Sequence, residues 1–171
     1  MNRLVLFCLL FMLPAFAQDA KQDDMKDCPM HAQHARQSHQ AVVEHHGDQA
    51  MGFPHDKTTH HFRMLSNGGV IEVSAQSTED KTNTEAIRSH LKHIAMMFSG
   101  GDFSTPMFIH DGVPPGVTTM KLMKSAIHYT YEEMPNGGKV RINSDDPIAV
   151  AAVHDFLRFQ IVEHKTGDSL D

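Results

Sequence analysis

The strongest constraint on the fold is an internal repeat in the C-terminal part of the chain. Residues 60–73 read HHFRMLSNGGVIEV and residues 129–142 read YTYEEMPNGGKVRI. In both stretches apolar and polar residues alternate around Asn-Gly-Gly, a strong hairpin signal because Asn and Gly tolerate positive φ. Each hairpin is followed by a segment of helical periodicity that ends at Gly-Asp, over residues 86–102 and 152–168. The sequence therefore predicts a β-β-α unit that is used twice.

Two such units predict an α+β domain over residues 56–171, with a four-stranded antiparallel sheet and both helices on one face. Side chains alternate between the faces of a strand with a period of two. The helix-facing side is expected to carry Phe62, Met64, Ile71, Val73, Ile127, Tyr129, Tyr131, Val140 and Ile142, with His60 on the same side of its strand. The opposite side is expected to carry His61, Arg63, Glu72, His128, Thr130, Glu132 and Arg141. On the first helix the core stripe is Ile87, Leu91, Ile94 and Phe98.

The second helix has apolar residues on more than one side. Phe156 and Phe159 lie off the stripe that contains Leu157 and Ile161. A helix of this kind is usually buried by more than one layer. We therefore expect either a homodimer contact or cover from the loop over residues 99–116. A loop of that length is typical of a lid or a binding element.

The N-terminus indicates secretion. Residues 1–17 combine a positive charge, an apolar run and a small-residue cleavage site, which predicts a signal peptide too short to span a bilayer. Removal of Arg3 changes the formal charge of the chain from −6 to −7. An acidic protein lacks the electrostatic footprint for nucleic acid or anionic lipid. No later run is apolar enough for a membrane span, so we expect a periplasmic or secreted protein.

Residues 18–55 form a polar tail that is rich in His and Met. Its only branched apolar residues are Val42 and Val43, so its composition predicts disorder or a transient helix. Cys28 is the only cysteine left after cleavage and cannot form an intramolecular disulfide. A lone thiol in an oxidising compartment suggests metal ligation or intermolecular pairing.

The tail has the side chains of a metal-binding segment. Cys28, Met30, His31 and His34 place a thiolate, a thioether and two imidazoles close together. Thiolate and thioether select Cu(I), whereas imidazole also accepts Cu(II) and zinc. Residues 28–31 resemble the Cys-Pro-Met-His motif of heavy-metal-binding segments in bacterial copper and silver efflux components, which implies a metal efflux or delivery partner. The alternative is a histidine-rich tail that only improves solubility.

The folded part offers further metal ligands. His90, His93 and Met97 lie on one face of the first predicted helix, where two imidazoles and a thioether would suit copper. Alternatively, the histidines are hydrogen-bonded boundary residues and the methionine fills the core. A complete site needs ligands from other elements. The candidates are His60 or His61 before the first helix, Met107 and His110 in the loop, and His154 or His164 on the second helix.

Several motifs resemble a family of secreted bacterial proteins to which we attach no activity. They occupy residues 51–53, 57–62, 101–103, 114–117 and 154–161, within a region that extends from Met51 to about Asp168. The resemblance implies secretion and no particular reaction.

Three functional hypotheses remain open at this point. The leading one is an extracytoplasmic protein for binding, buffering or resistance to copper or another heavy metal, with zinc as the alternative metal and non-covalent haem as a variant. The second is a small metal-dependent enzyme in which three histidines leave an open coordination position. The third is a module that binds a non-metal ligand. The chain contains no familiar catalytic motif, so nothing in it argues positively for an enzyme.

Overall fold

The computed structural model describes residues 29–171. The predicted signal peptide, the first part of the tail and Cys28 lie outside this range, as does the side chain of His31. The chain divides into two compact units, of which the first ends at Ala35 and the second comprises Arg36–Asp171. The described part of the first unit is the beginning of helix α1, Pro29–Met51. The fold and all contacts below belong to the second unit.

The second unit contains the predicted four-stranded antiparallel sheet. Its strands are β1, Thr58–Leu65; β2, Gly68–Ala75; β3, His128–Met134; and β4, Gly137–Asn143. The order β1-β2-β4-β3 places the second strand of each hairpin at the centre, where β2 pairs with β4. The predicted α+β class and the strand pairing within each hairpin are thereby confirmed.

The two long helices cover the apolar face of the sheet. They are α2, Lys81–Ser99, and α5, Pro147–Glu163. Each begins at an aspartate, Asp80 or Asp146, whose side chain accepts hydrogen bonds from free backbone N–H groups of the first turn. Helix α2 packs mainly on β3 and β4, whereas α5 packs on β1 and β2. Each helix therefore covers the hairpin of the other repeat.

The two asparagines of the Asn-Gly-Gly turns join the repeats at equivalent positions. The Asn67 carbonyl oxygen accepts from Ser144 N at 2.9 Å, and the Asn136 carbonyl oxygen accepts from Ala75 N at 2.8 Å. The Asn136 side chain also donates to the Ala75 carbonyl oxygen at 2.8 Å. Neither asparagine has a positive φ, whereas Gly68 of the first turn has a φ of 141°. The first turn therefore uses the positive φ that glycine tolerates, and contacts between the repeats stabilise both turns.

The loop between α2 and β3 supplies a second layer over α5. It contains the short helices α3, Ser104–Ile109, and α4, Val117–Leu122. Phe103 stacks on Phe98 at 4.3 Å between ring centroids, and Phe156 of α5 meets Phe103 edge-on at 6.2 Å. Phe159 lies edge-on against His110 of the same loop, at 4.8 Å. The loop therefore provides the cover that the second apolar side of this helix requires.

The tail, for which the sequence predicts disorder or a transient helix, is helical over part of the described residues. Residues 29–51 form α1. Within the second unit Val43 is 1% exposed and Phe53 is 3% exposed, so this part of the chain contributes to the core. His46 Nδ1 also lies 3.0 Å from the Phe108 carbonyl oxygen. These contacts bury the few apolar residues of this part of the chain, and the compact unit that contains the sheet begins at Arg36.

No helix within residues 29–171 combines the length and the apolar character needed to cross a membrane.

Candidate functional site

Two cavities meet beside the first strand. An apolar cavity of about 60 Å³ lies between the sheet, α2, α5 and the loop, and a polar cavity of about 320 Å³ lies between α1, β1 and the chain after α5. Of the described side chains, three line both cavities: Met51, His60 and His164. The cavities thus meet at two imidazoles and a thioether.

His60 lies on the helix-facing side of β1, as the strand alternation predicted. Its Nε2 is buried and has no hydrogen-bond partner among the described residues. Burial, with a smaller contribution from the nearby His90, lowers the pKa of His60 to about 4. The imidazole is therefore neutral at pH 7.

His164 directly follows α5 and faces His60. The two rings are nearly parallel, at 10°, with centroids 6.1 Å apart. His164 Nε2 lies 3.1 Å from Gln160 Oε1, and its ring stacks on Phe62 at 5.7 Å. Burial lowers the pKa of His164 to about 3, with smaller contributions from His60 and His110. This second imidazole is also neutral at pH 7.

Two further histidines extend the cluster. His90 lines the apolar cavity edge-on to Phe53, with ring centroids 5.7 Å apart, and burial lowers its pKa to about 4. His110 Nε2 lies 3.2 Å from Gln160 Oε1, the same oxygen that His164 approaches. Burial lowers the pKa of His110. The Gln160 amide therefore links two imidazoles and fixes the orientation of both rings.

Two predicted ligands have structural partners elsewhere. His61 Nδ1 lies 2.9 Å from Asp168 Oδ1, a contact that joins the C-terminal segment to β1. His154 Nε2 lies 2.9 Å from the carbonyl oxygens of both Leu65 and Gly68. A single N–H at this position stabilises the first hairpin turn. The structure does not bring His154 to the cavities.

The other predicted ligands do not lie at the junction of the two cavities either. His93 is exposed, and Met97 contacts Thr105 at 3.9 Å between sulfur and Oγ1. Of the three ligands predicted on α2, only His90 lines a cavity. In the first unit Met30 and His34 are exposed, and Cys28 and the His31 side chain lie outside the described residues.

The sequence interpretation missed part of this arrangement. The sequence left the choice between His154 and His164 open; His164 falls three residues after Ile161 and seven after Leu157, so extension of the core stripe of α5 favours it. Met51 was assigned to the end of a tail without a core pattern. Within residues 29–171, no three or more His, Cys, Asp or Glu side chains are grouped to hold a metal ion. A metal at the junction of the cavities would therefore depend on the Met51 thioether.

No protein-family model, curated protein or solved structure matches this chain. The chemistry of the side chains and the cavities therefore carries the functional argument.

Proposed function

We propose that the protein binds copper in an extracytoplasmic compartment and serves in copper buffering or resistance. The folded unit would hold Cu(I) at Met51, His60 and His164. The observation that supports this site is that these three side chains alone, among those described, line both cavities. They combine two nitrogen donors with one soft sulfur donor, a set suited to Cu(I).

The protonation state of the site favours metal binding. A histidine must be neutral to act as a ligand, and a protonated one has to release its proton first. Burial lowers the pKa of His60 to about 4 and that of His164 to about 3. Both therefore present neutral imidazoles well below pH 7. The unpartnered Nε2 of His60 is a buried polar atom that a metal or a water molecule would satisfy.

The thioether distinguishes copper from the alternative metal. Structural zinc sites use cysteine, histidine and carboxylate ligands in a closed tetrahedron, and methionine is absent from that set. Thioether and imidazole together suit Cu(I). The proposed site therefore prefers Cu(I) to Zn(II).

In this proposal the tail acts as a second set of ligands. Cys28, Met30, His31 and His34 would collect copper at lower affinity, since short His-rich tracts bind metals without a preformed pocket. A metal efflux or delivery partner would exchange copper with the chain. Secretion through the predicted signal peptide would bring both sets of ligands to the periplasm or the exterior.

A competition titration tests the folded site separately from the tail. The full chain carrying Cys28→Ser, Met30→Leu, His31→Ala and His34→Ala is titrated with Cu(I) against a chelator of known affinity. We expect about one tightly bound copper ion per chain. Met51→Leu, added to this chain, should weaken binding by about tenfold or more, because leucine preserves the volume and removes the sulfur.

Met64→Leu is the matched control. Met64 also packs against the core but lines neither cavity, so its replacement should leave copper affinity unchanged. Absence of tight binding in the tail-substituted chain would overturn the proposed site. Equal weakening by Met51→Leu and Met64→Leu would also overturn it, since the effect would then come from packing.

A further inference from the structure

The polar cavity has an imidazole and a carboxylate, two common types of metal ligand, at its solvent side. His55 and Glu44 both line it, and each side chain is 42% exposed. His55 Nε2 lies 3.9 Å from Glu44 Oε2. This pair faces solvent, whereas His60 on the same cavity has a buried nitrogen. The cavity therefore joins an exposed imidazole and carboxylate to the buried site.

Asp48 fixes the orientation of the exposed imidazole. Its Oδ1 accepts from the His55 backbone N–H at 2.7 Å and lies 2.9 Å from His55 Nδ1. Because a carboxylate oxygen only accepts, Nδ1 carries the hydrogen when the ring is neutral. The lone pair then lies on Nε2, on the Glu44 side. Metal-ligating histidines are commonly oriented by a carboxylate in this way.

We propose that His55 and Glu44 form a capture site that passes Cu(I) through the polar cavity to Met51, His60 and His164. This inference rests on the proposed function and adds the route by which the buried site is loaded. His55 Nε2 would be the ligand, and the Glu44 carboxylate would attract the cation. Asp48 is a positioning residue that acts through His55.

The walls of the polar cavity are suited to such a passage. They include hydroxyl and amide side chains, namely Gln40, Thr58, Thr59, Gln76 and Thr166. A volume of about 320 Å³ exceeds what a single water molecule needs, so a partly hydrated ion has room. The apolar cavity on the other side of His60 offers few such groups.

Two measurements separate the rate of copper loading from the affinity for copper. Cu(I) is transferred from a chelator complex to the tail-substituted full chain in a stopped-flow instrument, and the affinity is measured on the same protein at equilibrium. We expect Glu44→Gln and His55→Ala each to slow uptake by about tenfold. The affinity should change by less than about twofold, because the final ligands remain.

Substitutions of Asp48 test whether this residue acts by positioning the His55 ring. Asp48→Ala removes the acceptor for His55 Nδ1–H and should slow uptake as His55→Ala does. Asp48→Asn keeps an acceptor oxygen and should restore much of the rate. If Asp48→Ala unfolds the chain, the comparison of Asp48→Asn with His55→Gln still tests the role of the imidazole.

Exposed residues away from the cavities serve as controls. His128→Ala and Glu79→Gln should leave both rate and affinity unchanged. An unchanged uptake rate in His55→Ala would overturn the capture site while leaving the buried site intact. Equal losses of rate and affinity would assign His55 to the final site and overturn the relay. No copper binding by the parent chain would instead overturn the proposed function itself.

Discussion

The imidazole rings of His60 and His164 lie parallel within 10°, with centroids 6.1 Å apart, where the polar and the apolar cavity meet. The Nε2 atom of His60 has no hydrogen-bond partner among the described residues. A buried polar atom left unpaired costs about 1–3 kcal/mol. Pairing of this atom with a metal or a water molecule would remove that cost, and the proposed copper site uses the atom as a ligand.

Acid should destabilise the metal-free protein through its buried histidines. His60 and His90 have pKa values of about 4 in the folded chain and His164 of about 3, against an ordinary value of 6.5. Because the folded pKa values are depressed, the contribution to stability is complete above pH 6.5 and decreases as pH falls towards 4. Each histidine contributes a slope of at most about 1.4 kcal/mol per pH unit. Urea unfolding at several pH values measures this slope.

Between pH 6.5 and 4 the pH dependence should come mainly from the buried histidines. His164→Leu should reduce the slope because it removes one of these groups. His128→Ala replaces an exposed histidine of β3 and should leave the slope unchanged. A slope that stays the same in His164→Leu would show that the acid sensitivity has another origin.

The second glycine of the first turn is needed for close packing between the repeats. A Cβ atom at Gly69 would collide with Leu157 Cδ1 of α5 and with the Arg63 carbonyl oxygen. Gly69→Ala should lower the free energy of unfolding by about 1–3 kcal/mol. Gly112→Ala is the control, since a Cβ there meets no atom closer than 3.8 Å. Equal stability of the two variants in urea would contradict this packing argument.

The equivalent asparagines of the two turns should differ in their effect on stability. Asn136 donates from its side chain to the Ala75 carbonyl oxygen at 2.8 Å, and the Asn67 side chain makes no hydrogen bond to the described residues. Asn136→Ala should therefore cost about 1 kcal/mol more than Asn67→Ala. Thermal unfolding of the two variants measures the difference. A larger loss for Asn67→Ala would contradict it.

Most of the fold could be predicted from the sequence because the hairpin pattern is local and occurs twice. Alternation around each Asn-Gly-Gly turn predicted the strands, and the stripe of Ile87, Leu91, Ile94 and Phe98 predicted the buried face of α2, where all four are buried. The sequence did not show that each helix packs on the hairpin of the other repeat. That arrangement depends on the pairing of β2 with β4, which is a long-range contact without a local sequence pattern.

The candidate site was only partly predictable. Strand alternation correctly placed His60 on the apolar side, and helical spacing brought His90 to the cavity. The spacing could not show that His93 and Met97 do not line the cavity, because a set of positions on one helix face spans both core and solvent. Composition assigned Met51 and His55 to a disordered segment, since it does not reveal that Val43 and Phe53 are buried against the rest of the unit.

X-ray absorption at the copper edge tests the central claim most directly. The tail-substituted full chain is loaded with Cu(I), and its spectrum is compared with those of the Met51→Leu and Met64→Leu chains. We predict nitrogen and sulfur neighbours around copper, with loss of the sulfur contribution in Met51→Leu and its retention in Met64→Leu. A spectrum without sulfur in the parent chain, or one that Met51→Leu leaves unchanged, would contradict the site at Met51, His60 and His164.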